Sequence, residues 1–154
     1  MSKHPWSPNL TARPSRDLMI AARQLWTSEW WACASQSWTI RVSDLVLEEA
    51  SRGDARAAAL RLEALRGLET LPITPEAQAL AMRLIDLQAL PPTEPEDALH
   101  VALATVAGAH YIVTWNFAHL VGPDAKLKLL DALRACGFYP PLLTTPEELL
   151  EGRI

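Results

Sequence analysis

The chain has 154 residues, of which 49% are hydrophobic and 21% charged, so one domain with a sizeable core is expected. Its formal net charge of −4 excludes a protein held to nucleic acid mainly by bulk positive charge, because such binding rests on neutralising phosphates. An acidic site that acts on nucleic acid through a metal stays compatible with that balance. The two cysteines, Cys33 and Cys136, have no metal-ligand spacing and make no disulfide framework, which predicts a reduced, cytoplasmic setting. There is no signal-peptide pattern and no apolar run long enough to span a bilayer, so no membrane association is expected.

Residues 1–14 read as an irregular segment. Pro5 and Pro8 lack the ladder donor that a central strand requires. Ser15 is a reasonable N-cap, and residues 16–34 (RDLMIAARQLWTSEWWACA) predict a long helix opening a single domain over 15–154. Met19, Ala22, Trp26, Trp30 and Cys33 share one face at helical spacing. Trp30 and Trp31 are consecutive and cannot both point into the same core face. Such an aromatic cluster stacks bases when a basic groove lies beside it. Without that groove it reads as core, or as a contact between two copies in a homodimer.

Residues 37–42 (SWTIRV) alternate polar and apolar and predict a strand. Ser43 caps a short helix, DLVLEEASR, stopped at Gly53. Glu48 and Glu49 are adjacent on it, so only one can face a site at the sheet edge. The alternative is a solvated acidic face with Arg52 as a weak partner three or four residues on. Asp54 caps the next helix, residues 55–66, whose Arg56, Arg61 and Arg66 lie between apolar residues in an ordinary amphipathic pattern. Residues 70–73 make a short strand that Pro72 confines to an edge. Thr74 with Pro75 opens a helix to about residue 90, with Leu80, Leu84 and Leu87 as its core face.

The stretch over 95–116, PEDALHVALATVAGAHYIVTWN, is the centre of the chain. It reads as a helix, residues 96–108, feeding a buried strand, residues 110–114. A short apolar strand after a helix suggests a parallel sheet covered on both faces. In such sheets chemistry collects past the carboxyl ends of the strands, where Asn116 falls. Asp97, in the first helical turn, is placed to meet it there, or else serves only as a favourable dipole partner. Further on, Asp124 caps a helix over 125–136 ended by Gly137, residues 142–144 form a last strand, and Thr145, Pro146 and Glu148 make a capping box. Helices alternating with short strands predict an α/β domain with a short, mainly parallel sheet.

Four stretches in this order, VSDLVLEEASRGD, PPTEPEDALHVALA, YIVTWNFAHL and PPLLTTPEEL, resemble the PIN-domain family, in the branch similar to VapC-type toxins. The resemblance runs from Arg13 to near the C-terminus. It implies a three-layer α/β/α domain that hydrolyses RNA phosphodiesters with Mg2+ or Mn2+ held by a cluster of acids. By the same resemblance Glu49 matches the family's second acid, with Glu48 as the close alternative. Asp97 matches the third, and Asn116 the position after the fourth strand. Glu49 and Asp97 would then be the metal ligands, and Glu49, Asp97 and Asn116 the catalytic set of an endoribonuclease. Such toxins act on RNA and are paired with an antitoxin protein.

The chain departs from the family pattern at one place. A first strand ending in an acid should stand immediately before TARPSRD, and HPWSPNL stands there instead. Mg2+ wants hard oxygen ligands in near-octahedral geometry, and Asn116 supplies no charge, so Glu49 and Asp97 alone carry about half the usual charge. The sheet centre is also left uncovered, so another segment, a second chain or closure of the sheet has to satisfy its ladder groups. The resemblance therefore supports two expectations, a metal-dependent ribonuclease or an inactive PIN-like domain kept as an interaction or dimerisation module.

Other polar residues have plainer readings. His100 lies one turn after Asp97, and the D-x-x-H pair suits either a metal or a packed, hydrogen-bonded ring. Thr114 either bonds a site carboxylate or simply ends its strand. His119, Arg13 and Arg16 would contact RNA phosphates or be solvated.

Overall fold

The computed structural model describes residues 18–114 and 123–151, with side chains from Leu25 onward. Helix α1 spans Leu18–Ser37 and strand β1 spans Arg41–Ser43. The boundary between them falls later than the alternation over 37–42 predicts. The Trp38 N–H still donates to the Ala34 carbonyl at 2.9 Å, and its ring lies 6.5 Å from that of Trp30, which is 1% exposed. Packing of Trp38, just past the last turn, against Trp30 outweighs the strand propensity of residues 37–40.

Local capping chemistry sets most of the remaining starts. Ser43 Oγ accepts the Val46 N–H at 3.2 Å and opens α2, Asp44–Ala50. Asp54 accepts the Ala57 N–H at 2.9 Å and opens α3, Ala55–Leu65. Strand β2, Glu69–Leu71, stops before Pro72, which cannot continue a ladder. Thr74 accepts the Ala77 N–H at 3.2 Å, with Pro75 at the first position of α4, Pro75–Asp86. Then follow α5 (Pro95–Val106), β3 (Tyr111–Val113), α6 (Pro123–Ala135), β4 (Leu142–Thr144) and α7 (Pro146–Glu151). Thr145 Oγ1 accepts the Glu148 N–H at 3.2 Å at the head of α7, one half of a capping box. No described helix is long and apolar enough to cross a membrane.

Three helices end with the same pair of backbone bonds. Ala89 donates to Leu84, Ala109 to Ala104 and Phe138 to Leu133, each reaching back over a residue with positive φ. Gly108 and Gly137 occupy that position after α5 and α6 at φ +74° and +86°, but after α4 it is Gln88 at φ +59°. This turn ends α4 four residues earlier than the predicted boundary at 90. It also carries Leu87 out of the expected core face: Leu80 and Leu84 are buried, whereas Leu87 is 45% exposed.

Both strand pairs are parallel, as expected. β1 runs with β2 in the register Arg41↔Glu69 to Ser43↔Leu71, and β3 runs with β4 in the register Tyr111↔Leu142 to Val113↔Thr144. They are two separate two-stranded sheets among the described residues, with no ladder joining β1 to β3, where a single sheet was expected. The fold is mixed α/β, with helices carrying most of the packing. α4 lies along α5, α6 lies on α4, α2 on α3, and α1 on α7.

The buried side chains form three clusters. The largest joins α4, α5, α6 and β3 through Leu80, Leu84, Val101, Ile112 and Leu129. A second holds Val42, Val46, Ala50 and Leu65 around β1. A third holds Trp30, Ala34 and Val113 between α1 and β3.

Two stability measurements check this description. Leu84→Ala empties a fully buried position and is expected to cost about 2–5 kcal/mol in denaturant unfolding, whereas Leu87→Ala is expected to stay within about 0.5 kcal/mol. Gln88→Gly removes a side chain from the left-handed region and is expected to stabilise the chain by roughly 0.5–1 kcal/mol, net of glycine's extra unfolded-state entropy.

Candidate functional site

The candidate edge is built where α2 meets the start of α5. On α2, Leu45, Val46 and Ala50 are buried, and Glu49 lies four residues after Leu45 and three after Val46, on the inward side. Glu48 is exposed, so Glu49 is the acid that turns toward α5. On α5 nearly every residue from Ala98 to Thr105 is buried. Within that apolar helix Asp97 stands half-buried in the first turn, and His100, 4% exposed, follows one turn later.

Glu49 and His100 meet directly. His100 Nε2 lies 2.8 Å from Glu49 Oε1, with side-chain exposures of 3% and 23%. A carboxylate only accepts, so Nε2 carries the hydrogen and donates it. The contact is a hydrogen bond with a neutral ring and an ion pair with a protonated one. Sequence spacing alone gives no sign of this pair, whose members are 51 residues apart.

Two arginines hold the edge in shape. Arg61, on α3, donates its Nε–H to the Ala50 carbonyl at 2.9 Å and its Nη2 to the Arg52 carbonyl, so a side chain from the next helix caps the end of α2. Read along the sequence, Arg61 is one more charge on an amphipathic face, and its role as a cap depends on how α2 and α3 fold back on each other. Arg52, which one of the two readings of the Glu48–Glu49 pair gives as a weak partner on its own helix, places Nη1 3.6 Å from Glu96 Oε1 at the head of α5. Both of these side chains are more than half exposed, so the pair orients the helices more than it stabilises them.

Thr114, 2% exposed, follows β3, and its N–H donates to the Thr144 carbonyl at 3.0 Å. It stands at the carboxyl end of that strand, the side of the sheet on which α5 begins and α2 departs from β1. Asn116 and His119 lie outside the described residues, as do Arg13, Arg16 and the segment 1–14. Among the described residues, no group of three or more His, Cys, Asp or Glu side chains gathers to hold a metal ion. Glu49 and Asp97 offer hard oxygen donors of the type Mg2+ and Mn2+ prefer. One Glu49 oxygen already accepts from His100.

The opposite edge is chemically different. A cleft of about 340 Å3 opens between the amino-terminal ends of β1 and β3, lined by Trp38, Thr39, Arg41, Ala109, His110 and Tyr111 among others. It holds no acid, and Arg41 beside it is paired with Glu69 at 3.0 Å. Comparison with known proteins adds no neighbour: no family model, no curated protein and no solved structure matches the chain.

The Glu49–His100 contact is open to a direct test. Glu49→Leu leaves a buried imidazole N–H without its acceptor and is expected to lower stability by about 1–3 kcal/mol. Glu48→Leu, on the exposed side of the same turn, is expected to change it by less than about 0.5 kcal/mol. Urea melts of the two variants side by side check the assignment of the inward-facing acid.

Proposed function

We propose that this chain is a PIN-type domain of three-layer α/β/α design that hydrolyses RNA with Mg2+ or Mn2+, as the toxin half of a toxin–antitoxin pair in the cytoplasm. The reading rests on the ordered motifs VSDLVLEEASRGD, PPTEPEDALHVALA, YIVTWNFAHL and PPLLTTPEEL. One structural observation supports it above the others. Glu49 reaches the helix that carries Asp97, one turn ahead of the histidine it bonds, so both acids belong to the same α2–α5 junction. In this proposal Glu49 and Asp97 hold the metal ion, and Asn116 orients a water beside it. A bound divalent ion supplies positive charge against the scissile phosphate and lowers the pKa of a water. His100 keeps the Glu49 carboxylate turned toward α5, and Thr114 lines the carboxyl end of β3.

A second reading has its own support. Glu49 is engaged by a buried histidine, and among the described residues Glu49, His100 and Asp97 do not gather into a group that could hold a metal ion. Two carboxylates with one of them partly satisfied favour a PIN-like domain that has lost catalysis and persists as an interaction or dimerisation module.

Calorimetric titration with Mn2+, together with an RNA-cleavage assay, separates the two. The ribonuclease reading expects saturable micromolar Mn2+ binding and Mn2+-dependent cleavage, both reduced at least tenfold in Asp97→Asn. Cleavage that is unchanged in Asp97→Asn, or absent together with Mn2+ binding in the parent chain, removes that reading in favour of the interaction module.

A further inference from the structure

We propose that the amino-terminal edge of the strands carries a binding trough for single-stranded nucleic acid, in which unpaired bases stack on aromatic rings and phosphates meet the basic groups between them. Two clefts make up the trough. One is the cleft of about 340 Å3, where Trp38 and Arg41 stand at the start of β1 and His110 and Tyr111 at the start of β3. The other, of about 420 Å3, continues from the same His110 and Tyr111 to Arg134 near the end of α6 and Tyr139 before β4. Basic and aromatic side chains therefore alternate across the edge, Arg41 with Trp38, His110 with Tyr111, and Arg134 with Tyr139. Such a groove binds single strands without reading their sequence, because every base has a face to stack and every nucleotide a phosphate.

The groups in the trough are available to a ligand. Glu69 takes the Nε–H of Arg41 at 3.0 Å, and the two Nη groups of Arg41 have no partner among the described residues. A carboxylate on Nε orients the guanidinium and leaves its outer donors for a phosphate. Arg134 lies 3.8 Å from Asp131, with both side chains more than half exposed, a pair worth little that gives way to a better-placed anion. No acid lines either cleft among the described residues. The carbonyls of 103–105 at the end of α5 and of 132–134 at the end of α6 are all taken up by following N–H groups, which keeps them from opposing a phosphate. The rings are fixed in advance. Trp38 and Tyr111 pack on the cluster that holds Trp30. Tyr139 is 88% exposed and contributes nothing to the core, while Phe138 before it packs inward and Pro140 and Pro141 after it stiffen the chain. A ring already held in place costs little entropy to stack on.

The charge of the chain narrows the mode of binding. At a net −4 there is no surplus of positive charge to hold phosphates in bulk, so stacking has to supply a large share of the affinity. A duplex is then a poor ligand, because its bases are already stacked on one another. Base stacking by tryptophans near α1 requires a basic groove beside them. Trp30 is buried in the core, whereas Trp38, just past the helix, borders Arg41 and His110 in the cleft. The recognised chemistry, unpaired bases on a phosphate backbone, is common to single-stranded RNA and DNA. The trough lies at the opposite ends of the strands from the α2–α5 junction and holds whether or not that junction binds metal.

The test is fluorescence anisotropy of end-labelled oligouridine and oligothymidine hexamers titrated with the full chain in EDTA, so that no metal-dependent cleavage intervenes. Saturable binding of either is expected in about the 1–100 μM range of non-specific complexes, and the tighter of the two names the source. A hairpin duplex of similar charge is expected to bind at least tenfold more weakly. Tyr139→Ala, at an exposed position that leaves the fold alone, is expected to weaken hexamer binding at least fivefold, and Tyr139→Phe, which keeps the ring, to stay within about twofold of the parent. Arg134→Gln is expected to weaken binding and to lower the slope of log affinity against log salt by about 0.7, the share of one phosphate on a single strand. Arg83→Gln removes the same charge from the exposed side of α4, outside the trough, and is expected to change neither. Absence of binding at millimolar concentration overturns the proposal, as does equal binding of the duplex, full retention of affinity in Tyr139→Ala, or equal losses in Arg83→Gln and Arg134→Gln.

Discussion

Each strand in the described structure is three residues long, and that shortness governs the rest. A two-stranded parallel ladder of three residues has few hydrogen bonds and no independent stability in water. Both pairs exist because helices press on them. Ile112 of β3 sits within the cluster formed by α4, α5 and α6, and Val42 of β1 sits with Val46 and Ala50 of the helix that follows it. The helices hold the strands in place, which explains why α5 is apolar around most of its circumference and why the α4–α5 contact is the most extensive between helices.

What was legible in the sequence is what local chemistry decides. Ser43, Asp54, Thr74 and Thr145 each satisfy the first N–H groups of the helix that follows, and each was readable because an N-cap acts within three residues. The parallel pairing of short apolar strands followed from their alternation with helices. The misplaced boundaries share one cause, the overriding of local preference by distant or terminal packing. The helix α1 runs on to Ser37, with Trp38 packed on Trp30 just past its end, and α4 ends early because the chain turns at Gln88, a residue that gives no glycine-like stop signal.

The candidate edge was legible to a lesser degree. That one of two adjacent glutamates faces inward followed from helical geometry, and the burial of Leu45 and Val46 decides that it is Glu49. The partner of that carboxylate did not follow, because His100 is brought to it by the packing of α2 against α5 and by nothing nearby in sequence. Arg61 is a similar case. Its guanidinium closes the end of α2 from a neighbouring helix, so its role belongs to tertiary structure and leaves no mark in the spacing of its own helix.

The candidate edge and the two strand pairs are one mechanical problem. α2 continues from β1, and α5 leads into β3, so Glu49–His100 and Arg52–Glu96 join the half that holds β1 to the half that holds β3. Leu45 adds an apolar link, since it packs with the α4–α5 cluster while its neighbours Val46 and Ala50 pack with Leu65. Among the described residues no ladder joins β1 to β3, so side-chain contacts such as these contribute to their alignment. An exposed ion pair contributes little, so at this edge the Glu49–His100 contact and Leu45 do more to join the halves, while Trp38 and Ile40 before β1 pack with Trp30, Tyr111 and Val113 on the other side. Glu49 leaves from β1 through α2 and Asp97 stands at the start of the helix that leads into β3, so the two acids are brought together by the packing of these halves.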